Sequence, residues 1–477
     1  MNVESVRALG FVLLVSFVMG CGLFPPRPAW EETPPPPAEN EIVSGDSLTR
    51  LTLPNGLVLI VLEDDRLPQV ALGITLRRGA GSVDPSLAGI AELAGEVMQR
   101  GAGERDALAL AKAVEDVGAS LSISSGWDST TISISGLSED RELLFEILED
   151  VALRPRFDEV EFAKAQAEQQ AEIVATQDEP AALIRWHSLH LLFDGHRYGR
   201  PRSGTAETVS RIDVDLARAY WTDRFVPRNT IFWAVGDLEA AELVSKVRRV
   251  FGGLADLPVI PDTPPTPERT PRERRIVIVD KPDLIQARIV VTHEGIGRIE
   301  PTRIEVDIMN DALGGSGFSS RLMKTIRSDR GLTYGVGSGF SLRSQPGPFS
   351  ISTFTRIAKV REVVDLVLEE MQAIRSDRPI GEEELAKLIS YNVGRFGLSL
   401  ETSGAVLSSL VDLDVHELPA NSLDTYRSRV RAVTLNDVAR AADLRLHPDR
   451  AAIVVLGPAE ALVPLLESLG EVEVWQP

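Results

Sequence analysis

The sequence predicts an α+β fold of two homologous domains, each a mixed β-sheet packed with helices. A helix, a Pro-containing turn and an apolar strand close the first half at Gly236, and the same order closes the second half at Gly457, 221 positions later. Strands with period-two alternation are interleaved with amphipathic helices, without the regular strand-helix alternation of a parallel doubly wound sheet. A duplicated unit therefore accounts for most of the 477 residues.

The predicted elements occupy matching places in the two halves. Apolar or alternating runs predict strands at 57–61, 70–76, 130–135 and 231–236 in the first half, and at 275–279, 287–291, 349–354 and 452–457 in the second. Apolar residues at three- and four-residue spacing predict helices that include 141–153, 159–177 and 360–375.

A Pro-rich segment divides the two halves. It reads PVIPDTPPTPERTP over residues 258–271, a composition typical of an extended linker. We therefore place a linker at 258–274, between an N-terminal domain at 45–257 and a C-terminal domain at 275–477.

The composition excludes several classes of protein. Hydrophobic residues make up 43% and charged residues 25% of the chain, which is typical of globular proteins and argues against a collagen-like, disordered or multi-spanning membrane protein. The formal net charge of −20 repels phosphate backbones and argues against nonspecific nucleic-acid binding. The single cysteine, Cys21, excludes an intrachain disulfide and a cysteine-ligated zinc site.

The N-terminus resembles a bacterial lipoprotein signal. A short apolar run ends in the sequence VMGC at Cys21, and a small residue before a cysteine is typical of a lipoprotein cleavage box. Residues 1–21 are then a signal peptide, Cys21 is lipidated, and the Pro-rich residues 22–44 form an extended tether. The alternative is an ordinary signal peptide with an incidental cysteine.

This signal predicts a location in the bacterial cell envelope. A lipid on Cys21 would anchor the chain to a membrane, with its domains facing the periplasm. Gly22 follows the cysteine where some lipoproteins have Asp, which is similar to lipoproteins sent to the outer membrane.

The first candidate site is a predicted helix over 84–101, which Asp84 caps, Pro85 opens and Gly101 ends. Apolar residues at helical spacing predict that one face of this helix is buried. The opposite face then carries Glu92, Gly95 and Glu96.

This helix resembles the zinc-binding helix of the insulinase and pitrilysin family of peptidases, which includes mitochondrial processing peptidase. Family members carry His-x-x-Glu-His there, after a strand ending in a Gly-rich segment like Arg78-Gly79-Ala80-Gly81-Ser82. Glu92 stands for the first zinc histidine, Gly95 for the catalytic glutamate and Glu96 for the second histidine. Because imidazoles one turn apart bind zinc and the glutamate takes a proton from bound water, the resemblance implies that this zinc site is lost.

The resemblance assigns the family's third zinc ligand to Glu172. One carboxylate without histidine partners does not make a zinc site, so we expect no zinc in this chain. Glu92, Glu96 and Glu172 would suit a harder cation such as magnesium or calcium, or they are solvated surface carboxylates.

The second candidate site lies in residues 313–336, which read as a Gly-rich loop, a helix, a turn and a strand. This stretch resembles the second-domain signature of the same family. Arg327 and Tyr334 match an arginine and a tyrosine that hold the substrate in that family, the tyrosine supporting the oxyanion. Without the resemblance, an arginine at a helix C-terminus and an ordinary strand aromatic explain them as well.

The loop contains Gly314, Gly315, Ser316 and Gly317. It lacks the ending of a phosphate-binding loop and the spacing of a dinucleotide fingerprint. The zinc-less subunit of processing peptidase has a longer Gly-rich loop here that contacts substrate, which implies substrate binding by this loop. A helix-entry turn that needs positive φ is a compatible structural role.

The resemblance covers nearly the whole mature chain and implies a processing-peptidase-like duplicated unit. It implies a zinc-less homologue whose Arg327 and Tyr334 act in trans, with zinc in a homologous partner subunit and unfolded peptides as substrate. Peptidase activity would then require the heterodimer. Two other classes stay open: a non-catalytic binding or assembly lipoprotein of the same fold, and an independent hydrolase with carboxylate metal ligands.

Overall fold

The computed structural model describes residues 47–259 and 273–477 of the chain. The predicted signal peptide, Cys21, the tether and most of the predicted linker lie outside the described residues. The described residues belong to one compact unit, so the two halves pack against each other.

The first half forms a six-stranded mixed sheet. Its strands are β1 Leu48–Thr52, β2 Val58–Glu63, β3 Gln69–Leu76, β6 Ser120–Ser125, β7 Thr130–Leu137 and β8 Thr230–Gly236, and a separate ribbon contains β4 Gly101–Ala102 and β5 Arg105–Asp106. The sheet order is β1-β2-β8-β3-β7-β6, in which β2 and β8 are parallel and the other neighbours are antiparallel. The helices are α1 Ile90–Met98, α2 Ala107–Glu115, α3 Arg141–Leu153, α4 Glu159–Thr176, α5 Pro180–Leu192, α6 Ala206–Ser210, α7 Val214–Arg224 and α8 Ala240–Phe251.

The second half repeats this architecture with a second six-stranded sheet. Its strands are β9 Arg275–Asp280, β10 Gln286–Glu294, β11 Val336–Phe340, β12 Pro348–Arg356, β13 Ala452–Gly457 and β14 Val472–Trp475. The helices are α9 Arg303–Asn310, α10 Val360–Arg375, α11 Glu382–Leu398, α12 Ser403–Val415, α13 Ser422–Arg431, α14 Leu435–Arg445 and α15 Ala459–Leu466. No helix within the described ranges combines the length and apolar composition that crossing a bilayer requires.

The two sheets have the same strand order. The second sheet runs β14-β9-β13-β10-β12-β11, so that β9, β13, β10, β12 and β11 correspond to β2, β8, β3, β7 and β6. The sixth strand of each sheet comes from a different place in the chain: β1 is the first strand of its half, whereas β14 is the last strand of its half. The prediction of two homologous domains with mixed sheets is therefore confirmed.

Both faces of the central strands are buried, and the side chains alternate between two hydrophobic clusters. In β2, Leu59 and Val61 face the core beneath the helices of the first half. Ile60 and Leu62 face a second cluster that includes Leu407 of the other half. Burial on both faces explains why β2 reads as a continuous apolar run rather than an alternating one.

The two halves exchange one helix each. Leu183 and Leu191 of α5 pack on the second sheet, against residues that include Val454. Reciprocally, Val406 and Leu407 of α12 pack on the first sheet. Each helix thus covers the sheet face that the helices of that sheet's own half leave open, and the exchange joins the two halves through apolar packing.

Candidate functional site

The zinc-motif helix is shorter than the sequence predicts. Asp84 accepts a hydrogen bond from the Ser86 amide at 2.8 Å, but it caps only a 3₁₀ turn over Pro85–Leu87. Gly89, with φ of +100°, then separates this turn from α1, which ends at Met98. The prediction of one continuous helix over 84–101 is therefore wrong, because the chain changes direction at Gly89.

Both carboxylates at the zinc-histidine positions are held in ion pairs. Glu92 accepts a hydrogen bond from Arg202 Nε at 2.5 Å. Glu96 accepts one from Arg100 Nη2 at 2.7 Å, and the same guanidinium binds Glu168 of α4. These arginines place positive charge where a zinc site would need open coordination positions. The hydrogen bond to Glu168 is the main cause that raises the pKa of the Arg100 guanidinium, and burial of the side chain acts in the opposite direction.

Gly95, at the position of the catalytic glutamate, is buried rather than placed on an open face. A Cβ added there would lie 3.0 Å from Ile123 Cγ2 on the edge strand β6. The predicted open face is therefore wrong at this position, because α1 packs closely on β6. The absence of a side chain permits that contact, and it leaves no general base at the position.

Glu172 does not complete a metal site. It lies on α4 with an exposed side chain, one turn beyond the Glu168 that Arg100 binds. Within residues 47–259 and 273–477, no group of three His, Cys, Asp or Glu side chains has a geometry that could hold a metal ion. The residues present do not fit zinc, nor do they assemble the proposed magnesium or calcium site from Glu92, Glu96 and Glu172.

The second candidate site is a surface cluster that we call the Phe-Arg-Tyr cluster, formed by the half-buried Arg327 between the exposed Phe318 and Tyr334. The guanidinium carbon of Arg327 lies 4.4 Å from the centre of the Phe318 ring and 4.8 Å from the centre of the Tyr334 ring. The Phe318 and Tyr334 side chains are 71% and 78% exposed. Stacking between two rings restricts the arginine while leaving its N–H groups available.

Neither polar group of the cluster is engaged elsewhere in the described structure. Arg327 lies in the last turn of a π-helical segment, Met323–Asp329. Its guanidinium and the Tyr334 hydroxyl make no hydrogen bond or ion pair with another described residue, so Arg327 does not cap the carbonyl groups that end this segment. Tyr334 lies two residues before β11, so the prediction that it is a strand residue is wrong. A half-buried cation and an exposed phenol, neither of them hydrogen-bonded to a described residue, are suited to bind a ligand that brings acceptor oxygens.

The backbone that carries Tyr334 is fixed against β12. Thr353 Oγ1 donates to the Gly335 carbonyl at 2.9 Å, and Thr355 Oγ1 donates to the Leu332 carbonyl at 2.6 Å. Thr333 Oγ1 also accepts a hydrogen bond from the Gly335 amide at 3.2 Å. The exposed phenol therefore projects from a segment held on both sides, which limits the entropy lost when it binds a ligand.

The Gly-rich segment has two different structures. Asp311–Gly315 continues α9 as a π-helical turn, so the predicted loop is wrong at Gly314 and Gly315. A Cβ on Gly314 would lie 2.6 Å from Ser338 Oγ of β11, so glycine allows the close approach of this turn to the edge strand. Only Gly317 of this segment has positive φ, at +66°. Ser316 lies between the two parts, and its hydroxyl is 3.2 Å from that of Ser319.

A buried carboxyl lies at the start of this segment. Burial raises the pKa of Asp311, while a hydrogen bond from Asn392 Nδ2 at 2.9 Å and the charge of Arg395 act in the opposite direction. The Arg395 guanidinium lies 3.8 Å from the carboxylate. Burial likewise raises the pKa of Asp307 to about 6. These acids lie beneath the segment and support it rather than facing a ligand.

The two candidate sites occupy corresponding corners of the two sheets. The zinc-motif helix α1 packs on the edge strand β6, and the Gly-rich turn packs on the edge strand β11. Sequence reasoning found Arg327 and Tyr334 but missed Phe318, Arg202 and Arg100. An aromatic residue directly after the Gly-rich segment was a signal for Phe318, whereas the two arginines come from distant segments that only the fold brings together.

Comparison with known proteins identifies the family. A family model described as Insulinase (Peptidase family M16) matches residues 59–206, and one described as Peptidase M16 inactive domain matches residues 211–391. The chain belongs to the M16 (insulinase) family. The two matches cover the half with the altered zinc motif and most of the half with the Phe-Arg-Tyr cluster.

Relatives of this M16 protein are named as proteases. An uncharacterized zinc protease of Streptomyces coelicolor is 26% identical over 415 residues, which is 86% of this chain and 90% of the relative. An uncharacterized zinc protease of Bacillus subtilis is 22% identical over 406 residues, or 83% of this chain and 97% of the relative. The M16 protein described here departs from a zinc site at the three positions of the motif.

Solved structures share the M16 fold. The peptidase M16 inactive domain from Pseudomonas fluorescens superposes with a TM-score of 0.79 at 24% identity, covering 86% of this chain and 98% of that one. A protease from Helicobacter pylori gives a TM-score of 0.77 at 18% identity, covering 86% and 99%. The duplicated arrangement of sheets and helices is thus common to these proteins.

Proposed function

We propose that this chain is the substrate-holding subunit of a heterodimeric M16 metallopeptidase, which degrades or processes unfolded peptides in the bacterial cell envelope. The observation that carries the proposal is the contrast between its two sites. Arg202 and Arg100 neutralise the carboxylates of the first site, whereas the half-buried Arg327 and the exposed Tyr334 of the second make no side-chain hydrogen bond within the described residues.

The chemistry of the Phe-Arg-Tyr cluster matches this role. The Arg327 guanidinium presents up to two parallel N–H groups to a peptide carbonyl or carboxylate, and the Phe318 ring limits its motion. The Tyr334 hydroxyl would donate a hydrogen bond to the oxygen that gains negative charge on the scissile carbonyl. A homologous partner with an intact motif would supply the zinc-bound water, since residues 47–259 and 273–477 of this chain contain no group of side chains that could hold the metal.

A second function is favoured by the packing of the first site. The first site is stabilised by close packing of Gly95 on Ile123 and by the ion pairs of Glu92 and Glu96. The same fold then serves as a non-catalytic binding or assembly lipoprotein. This alternative needs neither Arg327 nor Tyr334 to be functional.

Lipidation of Cys21 belongs to the same proposal. The lipid would hold the chain on the periplasmic face of the envelope, on the outer membrane if Gly22 directs sorting, and the Pro-rich tether would keep the domains away from that membrane.

The test is reconstitution with a zinc-bearing homologue, most directly one encoded by a neighbouring reading frame. Each purified chain and the mixed complex are assayed for cleavage of unfolded peptides, with assembly followed by size-exclusion chromatography. The proposal predicts activity in the complex and near silence of either chain alone. Peptide cleavage by this chain alone, or an equally active partner without it, would contradict the proposal.

A further inference from the structure

A groove of about 740 Å³ runs between α5 of the first half and the second sheet. We call it the α5 groove. Its floor includes the small residues Gly337, Ser350 and Ser352, and Ile184 and Phe354 contribute apolar walls. Gly335, which directly follows Tyr334 of the Phe-Arg-Tyr cluster in the chain, lines the groove. Its volume lies within the range of about 300–1,000 Å³ typical of ligand pockets.

The α5 groove is cationic in a strongly acidic protein. Arg185, Arg288 and Arg343 line it, and its lining contains no Asp or Glu. None of these three guanidiniums forms an ion pair or donates a hydrogen bond to another described residue. Because the whole chain carries a net charge of −20, three unpaired arginines in one groove are a distinctive feature.

Arg343 has the most unusual environment of the three. It is 8% exposed, and its Nη1 atom is buried without a hydrogen-bond partner. The guanidinium carbon lies 4.3 Å from the centre of the Tyr198 ring and 4.8 Å from that of Trp127. Asp128, whose charge acts on Arg343, accepts a hydrogen bond from the Ser344 amide at 3.0 Å. Burial lowers the pKa of Arg343 to about 10, the expected result for a cation without adequate compensation.

The duplicated fold supplies an internal comparison. A related groove of about 470 Å³ lies between α12 and the first sheet, and we call it the α12 groove. Both helices have 13 residues, and Ser408 is the sixth residue of α12 as Arg185 is the sixth of α5. Ala71 pairs with Val235 as Arg288 pairs with Leu456 in the other sheet. Both replacements line the α12 groove, whose lining has no arginine.

We infer that the α5 groove binds acidic segments of the peptide substrate, with Arg185 and Arg288 pairing with carboxylates and the apolar walls contacting neighbouring side chains. This inference rests on the proposed peptide-holding role and adds the substrate class to it. Guanidinium-carboxylate hydrogen bonds are strong and frequently bidentate, and the buried charge of Arg343 adds attraction in a partly desolvated groove. Peptide is favoured over nucleic acid because apolar side chains, among them Ile184 and Phe354, line the groove beside the arginines and would contact the side chains between the carboxylates of a peptide.

The experiment measures fluorescence anisotropy of labelled peptides on the purified full chain without a partner. Three peptides of equal length alternate Leu with Glu, Gln or Lys. The Glu peptide should bind most tightly, and its affinity should fall between about 50 mM and about 200 mM salt because exposed charge pairs are screened. Equal binding of the three peptides would overturn the inference, as would the absence of binding by the Glu peptide.

The decisive variant is Arg185→Ser with Arg288→Ala, which installs the residues found at the equivalent positions of the α12 groove. It should raise the Kd for the Glu peptide about tenfold or more. The matched control, Arg249→Ser with Arg429→Ala, removes two exposed arginines elsewhere and should leave the Kd within about twofold. Equal losses in both variants would show a general charge effect and contradict a specific groove.

A single-stranded oligonucleotide is the remaining competitor. If it displaces the Glu peptide at equal or lower concentration, the groove is a nucleic-acid site and the inference is wrong. Because this assay uses the chain alone, its failure leaves the heterodimer proposal standing. Failure to find a zinc-bearing partner likewise leaves the binding result unchanged.

Discussion

Glu92 Oε1 lies 2.5 Å from Arg202 Nε, so an ion pair engages the residue that the family resemblance aligns with the first zinc histidine. Arg202 comes from a segment 110 positions away in the chain. One turn further along α1, Glu96 is paired with Arg100. The half of the protein that carries the zinc motif in this family is therefore stabilised by internal charge pairs, and the Phe-Arg-Tyr cluster is left as the site with free polar groups.

The first prediction is that the isolated chain holds no stoichiometric zinc. Two carboxylates engaged by arginines and a glycine in place of the general base offer neither a ligand set nor proton transfer. Metal analysis by mass spectrometry after a chelator wash should find only traces, and peptidase assays should be silent. One tightly held zinc per chain would contradict the prediction. The control is a zinc-bearing homologue, which should retain its metal through the same wash.

The fold was predictable because the duplication and the hydrophobic periodicity of the elements can both be read directly from the order of residues in the sequence. The predicted bounds of helices 141–153 and 360–375 agree with α3 and α10. The bend at Gly89 was missed because a Pro after an Asp cap is typical of a helix start, and only packing shows where the helix begins. Tyr334 was expected in a strand because residues 331–334 resemble a Gly-Leu-x-Tyr strand of the family, whereas β11 begins at Val336.

The site was predictable only in part. The resemblance supplied Arg327 and Tyr334, and the geometry supplied Phe318 as the second ring against Arg327. The ion pair between Glu92 and Arg202 depends on how distant segments meet, which no spacing in the sequence encodes. The roles of Arg327, Tyr334 and the Gly-rich segment remain predictions for experiment.

A second prediction concerns the exchanged helices. Leu183 of α5 is fully buried against the second sheet, so Leu183→Ala should lower the free energy of unfolding by about 2–5 kcal/mol. Because α5 belongs to one half and its contacts to the other, both halves should lose stability together. Urea unfolding followed by fluorescence and circular dichroism should show one shifted transition. The control Leu108→Ala, at a residue 79% exposed, should change little. Two separate transitions, with only one of them shifted, would contradict the account.

A third prediction concerns pH and His293, which is fully buried. Its Nδ1–H donates to the Glu294 carbonyl at 2.7 Å, and its Nε2 accepts from the His447 amide at 3.3 Å. Protonation of Nε2 would remove that acceptor, and burial lowers the pKa of His293 to about 3. Since an unfolded histidine has a pKa near 6.5, its stabilising contribution is present above that pH and is lost as pH falls toward 3.

Between pH 7 and 5 this loss should reach about 2 kcal/mol in the free energy of unfolding. Asp307, with its raised pKa of about 6, acts in the opposite direction, so the wild type should be compared with His293→Gln. The variant should show a shallower dependence in urea titrations, while the exposed His190→Gln should match the wild type. An unchanged slope in His293→Gln would contradict the assignment.

A fourth prediction concerns the proposed anchor. Cys21→Ser in the full chain removes the only thiol available for lipidation, so the protein should move from the membrane to the soluble fraction of envelope extracts. Fractionation followed by immunoblotting measures this directly. Detergent-dependent extraction of the Cys21→Ser protein would show that the cysteine does not carry the anchor.

The central claim is that Tyr334 and Arg327 serve the chemistry of a partner's zinc site, and the kinetics of the Tyr334→Phe complex test it most directly. Removing one hydroxyl while keeping the ring should lower kcat by about 10²- to 10³-fold with little change in KM, if the phenol stabilises the transition state. Arg327→Ala should also raise KM, because it loses a charged donor that binds peptide. The matched control is Tyr391→Phe, at another partly exposed tyrosine beside an arginine, and it should keep wild-type kcat. A complex that assembles normally and retains full kcat with Tyr334→Phe and Arg327→Ala combined would contradict the claim and leave this chain as a scaffold.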